Sequence, residues 1–297
     1  MNPRTSKNNR SRRPAFGAHV SIAGGLNVAA ERAVDTGCDC IAIFSASPRV
    51  WKRKLPPERD IRTFRNTLHD ASIEPIIVHA PYILNIASPD DTLFERSIDL
   101  LIFEMEFARL IGSELIVIHP GSHGGRGKGF GYERCVTALE DAFSRFRGAD
   151  ISIALELTAG GGHQICSSFE DAAAILQLSR MQDRLAICID TCHLFAAGYD
   201  IRSHESWEST VSHIESLIDI SMIKVMHVND SKGTLGSHVD RHTHIGEGEI
   251  GLRGFRAIVN DQRLRDTPMI LETPKGLDNA EDKANLRMLR FLVMETG

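Results

Sequence analysis

From Phe16 onward the chain repeats one pattern of polarity. A short apolar run is followed by a glycine-bearing or polar loop, and then by a stretch with helical spacing of its apolar residues. The runs are "FGAHV" (16–20), "CIAIF" (40–44), "PIIVH" (75–79), "LIVIH" (115–119), "ISIALE" (151–156), "LAICID" (185–190), "IKVMH" (223–227) and "MILE" (269–272). They are almost continuously apolar rather than alternating, which is the signature of strands buried on both faces. Helices are expected near 27–36, 57–70, 88–112, 131–147, 168–181, 204–219, 252–264 and 278–294. In "SPDDTLFERSIDLLIFEMEFARLIG", Ser88 can cap, Pro89 suits the first turn, Asp90 and Asp91 face the positive helix end, and Gly112 can terminate. Eight such βα units predict an α/β fold, a (β/α)8 TIM barrel occupying 15–297 as a single domain. A doubly wound sheet is the alternative; no linker or second core is visible.

The barrel makes a local prediction, because chemistry in this fold sits at the C-terminal ends of the strands. The apolar runs end on, or within one residue of, His19, His79, His119, Glu156, Asp190, His227 and Glu272; the second run, ending at Phe44 and Ser45, is the exception. "CIDTCH" adds His193 three residues past Asp190, and "DRHTHIGEGEIG" packs Asp240, His242 and His244 into one loop. Histidine and carboxylate without cysteine suit zinc, and also manganese or iron. The larger group exceeds what one tetrahedral zinc can use. Two ions sharing a carboxylate, with Glu156 in the middle of the strand order, would use it fully and could clamp both oxygens of a phosphodiester displacement. His193 with Asp240 and His242 forms a second group of three, the ligand count of a catalytic zinc that keeps one position open. "IGEGEIG" reads as a flexible turn into the next helix.

Charge sharpens this picture. The 297 residues carry a formal net charge of −5, yet the tail "MNPRTSKNNRSRRP" (1–14) holds five basic residues and no acid, so the body is near −10. Such a body is a poor general nucleic-acid binder unless bound cations form its phosphate site. The tail reads as disordered. It lacks the apolar segment of a secretory signal, and no run is long enough to cross a membrane. The six cysteines show no CxxC spacing; Cys38, Cys40 and Cys188 alternate with apolar residues and read as buried thiols of a reducing compartment, which makes the cytoplasm the expected location.

"HVSIAGG", "HPGSH", "CIDTCHLFAAGYD", "HVNDSKGTLGSHVDRH", "IGEGEIG" and "LETPKG" resemble the signatures of the endonuclease IV family of apurinic/apyrimidinic endonucleases, over about residues 15–295. The resemblance implies a TIM barrel with three zinc ions per chain, manganese being an alternative in part. It implies a zinc-dependent deoxyribonuclease of base excision repair that hydrolyses the DNA phosphodiester 5′ to an abasic site, leaving a 3′-hydroxyl and a 5′-deoxyribose phosphate, and that trims blocked 3′ ends. Carried over by position, His79, His119 and Glu156 hold the first ion. Glu156, Asp190, His227 and Glu272 hold the second, and His193, Asp240 and His242 the third. Glu156 bridges and orients the metal-activated solvent. The partner is double-stranded DNA with abasic sites or blocked 3′ ends; the protein is expected to be a monomer with no membrane partner.

The same resemblance places Arg49, from "SASPRVWKRKLPP", in the DNA base stack, and Tyr82 and Ile83, from "HAPYILNI", near the damaged site. Lys232 in "NDSKG" can approach a phosphate. Arg49, Trp51, Lys52, Arg53 and Lys54 together combine charge with an aromatic, as a DNA-wedging loop would. Leu157 departs from the family pattern, which carries a polar amide there, so the support around the adjacent ligands is expected to differ. A sugar isomerase is the main rival: it explains the Glu156, Asp190, His227, Glu272 quartet but not His193 with Asp240 and His242.

Overall fold

The computed structural model describes residues 13–148, 151–276 and 278–294. Residues 1–12 of the basic tail lie outside them. Arg13, the last basic residue of that segment, is tied to the body by an ion pair to Asp39 at 2.7 Å.

Eight parallel strands close into a barrel in chain order. They are β1 (Phe16–His19), β2 (Cys40–Phe44), β3 (Ile76–His79), β4 (Leu115–Ile118), β5 (Ser152–Glu156), β6 (Leu185–Asp190), β7 (Ile223–His227) and, after two short strands, β10 (Met269–Leu271), which pairs back onto β1. The short strands β8 (Asp230–Ser231) and β9 (His242–Thr243) form an antiparallel pair above the barrel. The helices are α1 (Leu26–Thr36), α2 (Glu58–Asp70), α3 (Asp91–Ile111), α4 (Lys128–Arg145), α5 (Phe169–Leu178), α6 (Thr191–Ala196), α7 (His204–Leu217), α8 (Gly251–Val259) and α9 (Ala280–Leu292). The eight expected strands are all present, most within a residue of the expected limits.

Several elements differ from expectation: the short strands β8 and β9 are not among the expected ones, and α8 ends at Val259, five residues before the expected limit. Helix α3 begins at Asp91, with Asp90 as its cap: the Asp90 side chain accepts from the Leu93 N–H at 2.7 Å. Ser88, expected to cap, instead accepts from the Asp90 N–H at 3.1 Å and shapes the approach. A carboxylate is the stronger acceptor for the orphan donors of a first turn. Helix α6 lies outside the expected set. All six of its residues are buried, so it has no polar face to give a helical period.

The core has two layers. Side chains pointing outward from the strands pack against the helices in one extensive apolar cluster. Inside the barrel, Cys40, Ala42, Ile77, Val117, Ala154, Ala186, Cys188, Val225 and Ile270 form a separate, small-residue cluster. At β1 the space is so tight that a Cβ on Gly17 would lie 1.8 Å from the Cys40 carbonyl oxygen. The inner residues matter for what sits above them. A strand returns to the same face every second residue, so the next inward positions are His19, Phe44, His79, His119, Glu156, Asp190, His227 and Glu272. The packed floor of the barrel therefore aims this ring of side chains at one mouth.

Candidate metal centre

The ring closes around Glu156, which is fully buried. Its Oε2 lies 3.0 Å from His79 Nε2 and 2.9 Å from His119 Nε2. Its Oε1 lies 3.0 Å from His227 Nδ1. His227 Nδ1 is also 3.4 Å from Glu272 Oε2 and 4.0 Å from Asp190 Oδ2. One carboxylate thus faces a histidine pair on one oxygen and the Asp190–His227–Glu272 group on the other. Beyond it, Asp240 reaches across two imidazoles, with Oδ2 at 3.2 Å from His193 Nε2 and Oδ1 at 3.1 Å from His242 Nε2. His242 Nε2 is 3.6 Å from Asp190 Oδ2, which joins this group to the first. All nine side chains singled out as metal ligands in the sequence meet at one mouth.

Backbone carbonyls orient the imidazoles. His79 Nδ1 is 2.7 Å from the Ala80 oxygen, His193 Nδ1 is 2.9 Å from the Leu157 oxygen, and His242 Nδ1 is 3.1 Å from the Glu272 oxygen. A carbonyl can only accept, so each Nδ1 donates. In the neutral ring each Nε2 then carries a lone pair aimed at carboxylate oxygens, an arrangement that calls for a cation between them. Burial alone would raise the Glu156 carboxyl, but His119 and His227 outweigh it and hold it well below the usual carboxylate range. Burial would lower His193, yet Asp190, Asp240 and Glu156 hold it well above its ordinary value. His242 is raised against burial to about 9 by Asp190 and Asp240. Glu272 is drawn down against burial to about 2 by His227 and His79. The residues present fit divalent ions: clusters of histidine and carboxylate ligand atoms lie within coordinating reach of one another. A metal-binding cluster is present at the C-terminal ends of the strands.

Several supporting residues carried no signal in the sequence. Asn229, fully buried, donates from Nδ2 to Asp190 Oδ2 at 2.6 Å and accepts the Glu272 backbone N–H on Oδ1 at 2.7 Å. Thr191 holds it in place, with its hydroxyl 2.7 Å from the Asn229 carbonyl oxygen. At Leu157 the side chain is buried, and its carbonyl orients His193, a contact that does not depend on the side chain. His19 is no closer than a ring contact to the cluster, 6.0 Å from His79 between centroids, and burial pushes its pKa down to about 3. Phe44 explains the strand without a ligand: its ring fills the inward position, 4.3 Å from His19 and 5.3 Å from His79.

Around the mouth, Tyr82 is 55% exposed, with its ring 5.2 Å from that of His119. Ile83 beside it is half-buried, while Arg49 and Lys232 are exposed and form no ion pair among the described residues. The basic loop after β2 is divided in its roles. Arg53 turns inward, its side chain 2% exposed, to meet Glu104 at 3.3 Å, and Trp51 stacks under Arg96 at 4.2 Å. Those two residues build the loop from below, which leaves Arg49, Lys52 and Lys54 exposed. A cavity of about 520 Å³ lined by His19, Phe44, Ser47, Pro48 and Lys275 adjoins the cluster. A larger groove, about 710 Å³ between α7 and α8, shares no residue with it.

Fold and site together define a metal-binding TIM barrel of the xylose isomerase-like class, whose family model matches residues 30–292. Within that class the relatives are specific. A protein of Chloroflexus aurantiacus described as "Probable endonuclease 4" is 42% identical over 280 residues, covering 94% of this chain and 98% of its own. A protein of the same description from Geobacter sulfurreducens is 41% identical over 281 residues, covering 94% of each. The crystal structure of endonuclease IV from Thermus thermophilus superposes with a TM-score of 0.82 at 34% identity, covering 94% of this chain and 98% of that one. The chain belongs to the endonuclease IV family of apurinic/apyrimidinic endonucleases. A D-tagatose 3-epimerase-like protein shares the fold alone, with a TM-score of 0.70 at 20% identity.

Proposed function

We propose that the protein is a zinc-dependent endonuclease of base excision repair. It hydrolyses the DNA phosphodiester 5′ to an abasic site, leaves a 3′-hydroxyl and a 5′-deoxyribose phosphate, and trims blocked 3′ ends. Family membership supports abasic-site hydrolysis. The observation that carries the finer reading is the fusion of two ligand groups through Asp190, with His242 Nε2 3.6 Å from its Oδ2. The Glu156, Asp190, His227, Glu272 quartet alone would serve a sugar isomerase. The adjoining His193, Asp240, His242 group would be idle in one, whereas a phosphodiester has oxygens enough to use it.

In this reading His79, His119 and Glu156 hold one zinc, Glu156, Asp190, His227 and Glu272 a second, and His193, Asp240 and His242 a third. Bound zinc would polarise phosphate oxygens and acidify water to a pKa near 7. The protein residues do the rest. Glu156 spans the first two positions because its two oxygens face different histidines. The carbonyls of Ala80, Leu157 and Glu272 fix which nitrogen of each imidazole faces inward. Arg49, exposed on the loop after β2, enters the DNA base stack, Lys232, also exposed, approaches a phosphate, and Tyr82 with Ile83 offers an apolar face beside the ligands. An abasic nucleotide has no base to unstack, so it enters this mouth at lower cost than a paired one. The reading also makes the protein a cytoplasmic monomer, residues 15–297 being the catalytic barrel and 1–14 a basic tail. Six buried cysteines that form no disulfide among the described residues support a reducing compartment.

The test is incubation of zinc-loaded protein with a duplex holding one abasic site, with both new ends analysed. A 3′-hydroxyl, and near-complete loss of incision in Glu156→Gln, are expected. A β-elimination product, or an intact duplex, overturns the reading.

A further inference from the structure

We infer that Asp230 is a positioning residue for the third metal position: its buried carboxylate gathers the backbone of residues 246–251 and so fixes the strand that presents Asp240 and His242. The inference rests on the three-ion reading above. Asp230 is fully buried, and no ion pair involves it among the described residues. Its partners are peptide N–H groups. Oδ1 accepts from Ser231 at 2.8 Å and Ile250 at 3.0 Å. Oδ2 accepts from Gly246 at 2.9 Å, Gly248 at 3.1 Å and Gly251 at 3.3 Å. Converging N–H groups are an anion's substitute for a counter-ion, and hydrogen bonds to a carboxylate are the strong kind.

The glycine-rich loop that looks flexible in the sequence is therefore wound around a charge. Gly246 and Gly251 take left-handed backbone, with φ of 85° and 72°, which side chains other than glycine resist. Gly248 has no room for a side chain: a Cβ there would meet the Ser231 carbonyl oxygen at 2.4 Å and Asp230 Oδ1 at 2.6 Å. The same wrap satisfies the first N–H groups of α8, at Ile250 and Gly251, for which the sequence offers no local capping side chain.

The clamp reaches the metal position through a short ladder. Asp230 sits on β8 opposite Thr243, and Ser231 opposite His242, on β9. Lys232 N–H donates to the Arg241 oxygen at 2.9 Å, and Glu249 N–H to the Ser231 oxygen at 2.8 Å. Residues 241–251 are thus pinned to β8 at both ends. Asp240 needs that support, because it is 54% exposed and, among the described residues, its carboxylate pairs with His193 and His242 and no other cation. Among the described residues the Asp230 carboxylate hydrogen-bonds to no ligand of the first two positions, and those ligands stand on, or one residue past, barrel strands.

The experiment compares wild type, Asp230→Asn and Gly248→Ala. Zinc per chain is measured by elemental analysis, stepwise zinc affinity by chelator competition, and amide hydrogen exchange over 244–251 by mass spectrometry. Asparagine keeps one acceptor oxygen and turns an NH2 group toward the peptide donors. Expected for both variants are two ions held as in wild type, the third bound at least about 10-fold more weakly, and loop amides exchanging at least about 10-fold faster. Wild-type affinity and exchange in Asp230→Asn overturn the inference, as does equal weakening of all three ions, which would mark a merely structural role. If Asp230→Asn does not fold, Gly248→Ala decides by the same criteria. If wild type itself holds fewer than three ions, the three-ion reading fails. Loop exchange then judges the clamp alone, faster exchange retaining it and unchanged exchange removing it.

Discussion

Replacing Asn229 by alanine probes how the centre is held without touching a ligand. Its amide donates to Asp190 Oδ2 at 2.6 Å and receives the Glu272 N–H at 2.7 Å, joining β6 to the residue after β10. A hydrogen bond to a charged group contributes about 1.5–3 kcal/mol, and a buried donor left without an acceptor costs about 1–3 kcal/mol. Loss of both predicts roughly 3–5 kcal/mol lower stability of the metal-free protein. The backbone contacts of residue 229 with the Thr191 hydroxyl survive the change, so the loss falls on the amide. Removing the support of a ligating carboxylate costs about 10–100-fold in metal affinity, and in the proposed reading Asp190 and Glu272 both belong to the second position. Urea unfolding of metal-free protein and zinc competition against a chelator measure the two quantities. Stability within about 1 kcal/mol of wild type, with unaltered zinc affinity, would refute the argument that this amide sets the ligand geometry.

Other consequences can be checked as directly. Burial pushes the Glu104 carboxyl up to about 7 against the pull of Arg53. The raised value means its contribution is fully present below the unfolded pKa near 4.5 and is lost as pH rises through about 7; the stability difference between wild type and Glu104→Gln should shift by about 3 kcal/mol across that window, and a flat difference contradicts it. Arg49→Ala should leave stability within about 0.5 kcal/mol and weaken binding of an abasic duplex; unchanged affinity removes Arg49 from the DNA surface. Free zinc at about 100-fold over its dissociation constant should stabilise the chain by roughly 2.7 kcal/mol per independent site, seen as a rise in the unfolding midpoint that EDTA reverses. No rise would mean the native cluster does not bind zinc.

The sequence announces the ligand ring because two periodicities coincide. Strands buried on both faces read as apolar runs, and the first polar residue after each run is also the next inward position above a packed floor. His79, Asp190 and His227 are visible for that reason. The same logic leaves Phe44 silent, since an apolar residue in the ring looks like more strand. Residues that act by contact across the fold stay hidden. Asn229 and Glu272 are 43 residues apart, and Asp230 draws its donors from up to 21 residues away. Nothing in "IGEGEIG" alone distinguishes a flexible loop from one wound on a buried carboxylate. Arg53 misleads in a similar way: within a basic run it looks like surface, and its partner Glu104 lies midway along α3. Helix α6 escapes because complete burial erases the polar face that period analysis needs.

Diffraction from zinc-loaded crystals on either side of the zinc absorption edge tests the central claim most directly. The account predicts three anomalous peaks: at His79, His119 and Glu156; at Glu156, Asp190, His227 and Glu272; and at His193, Asp240 and His242. A single peak within the quartet, with nothing at His193, Asp240 and His242, would contradict it.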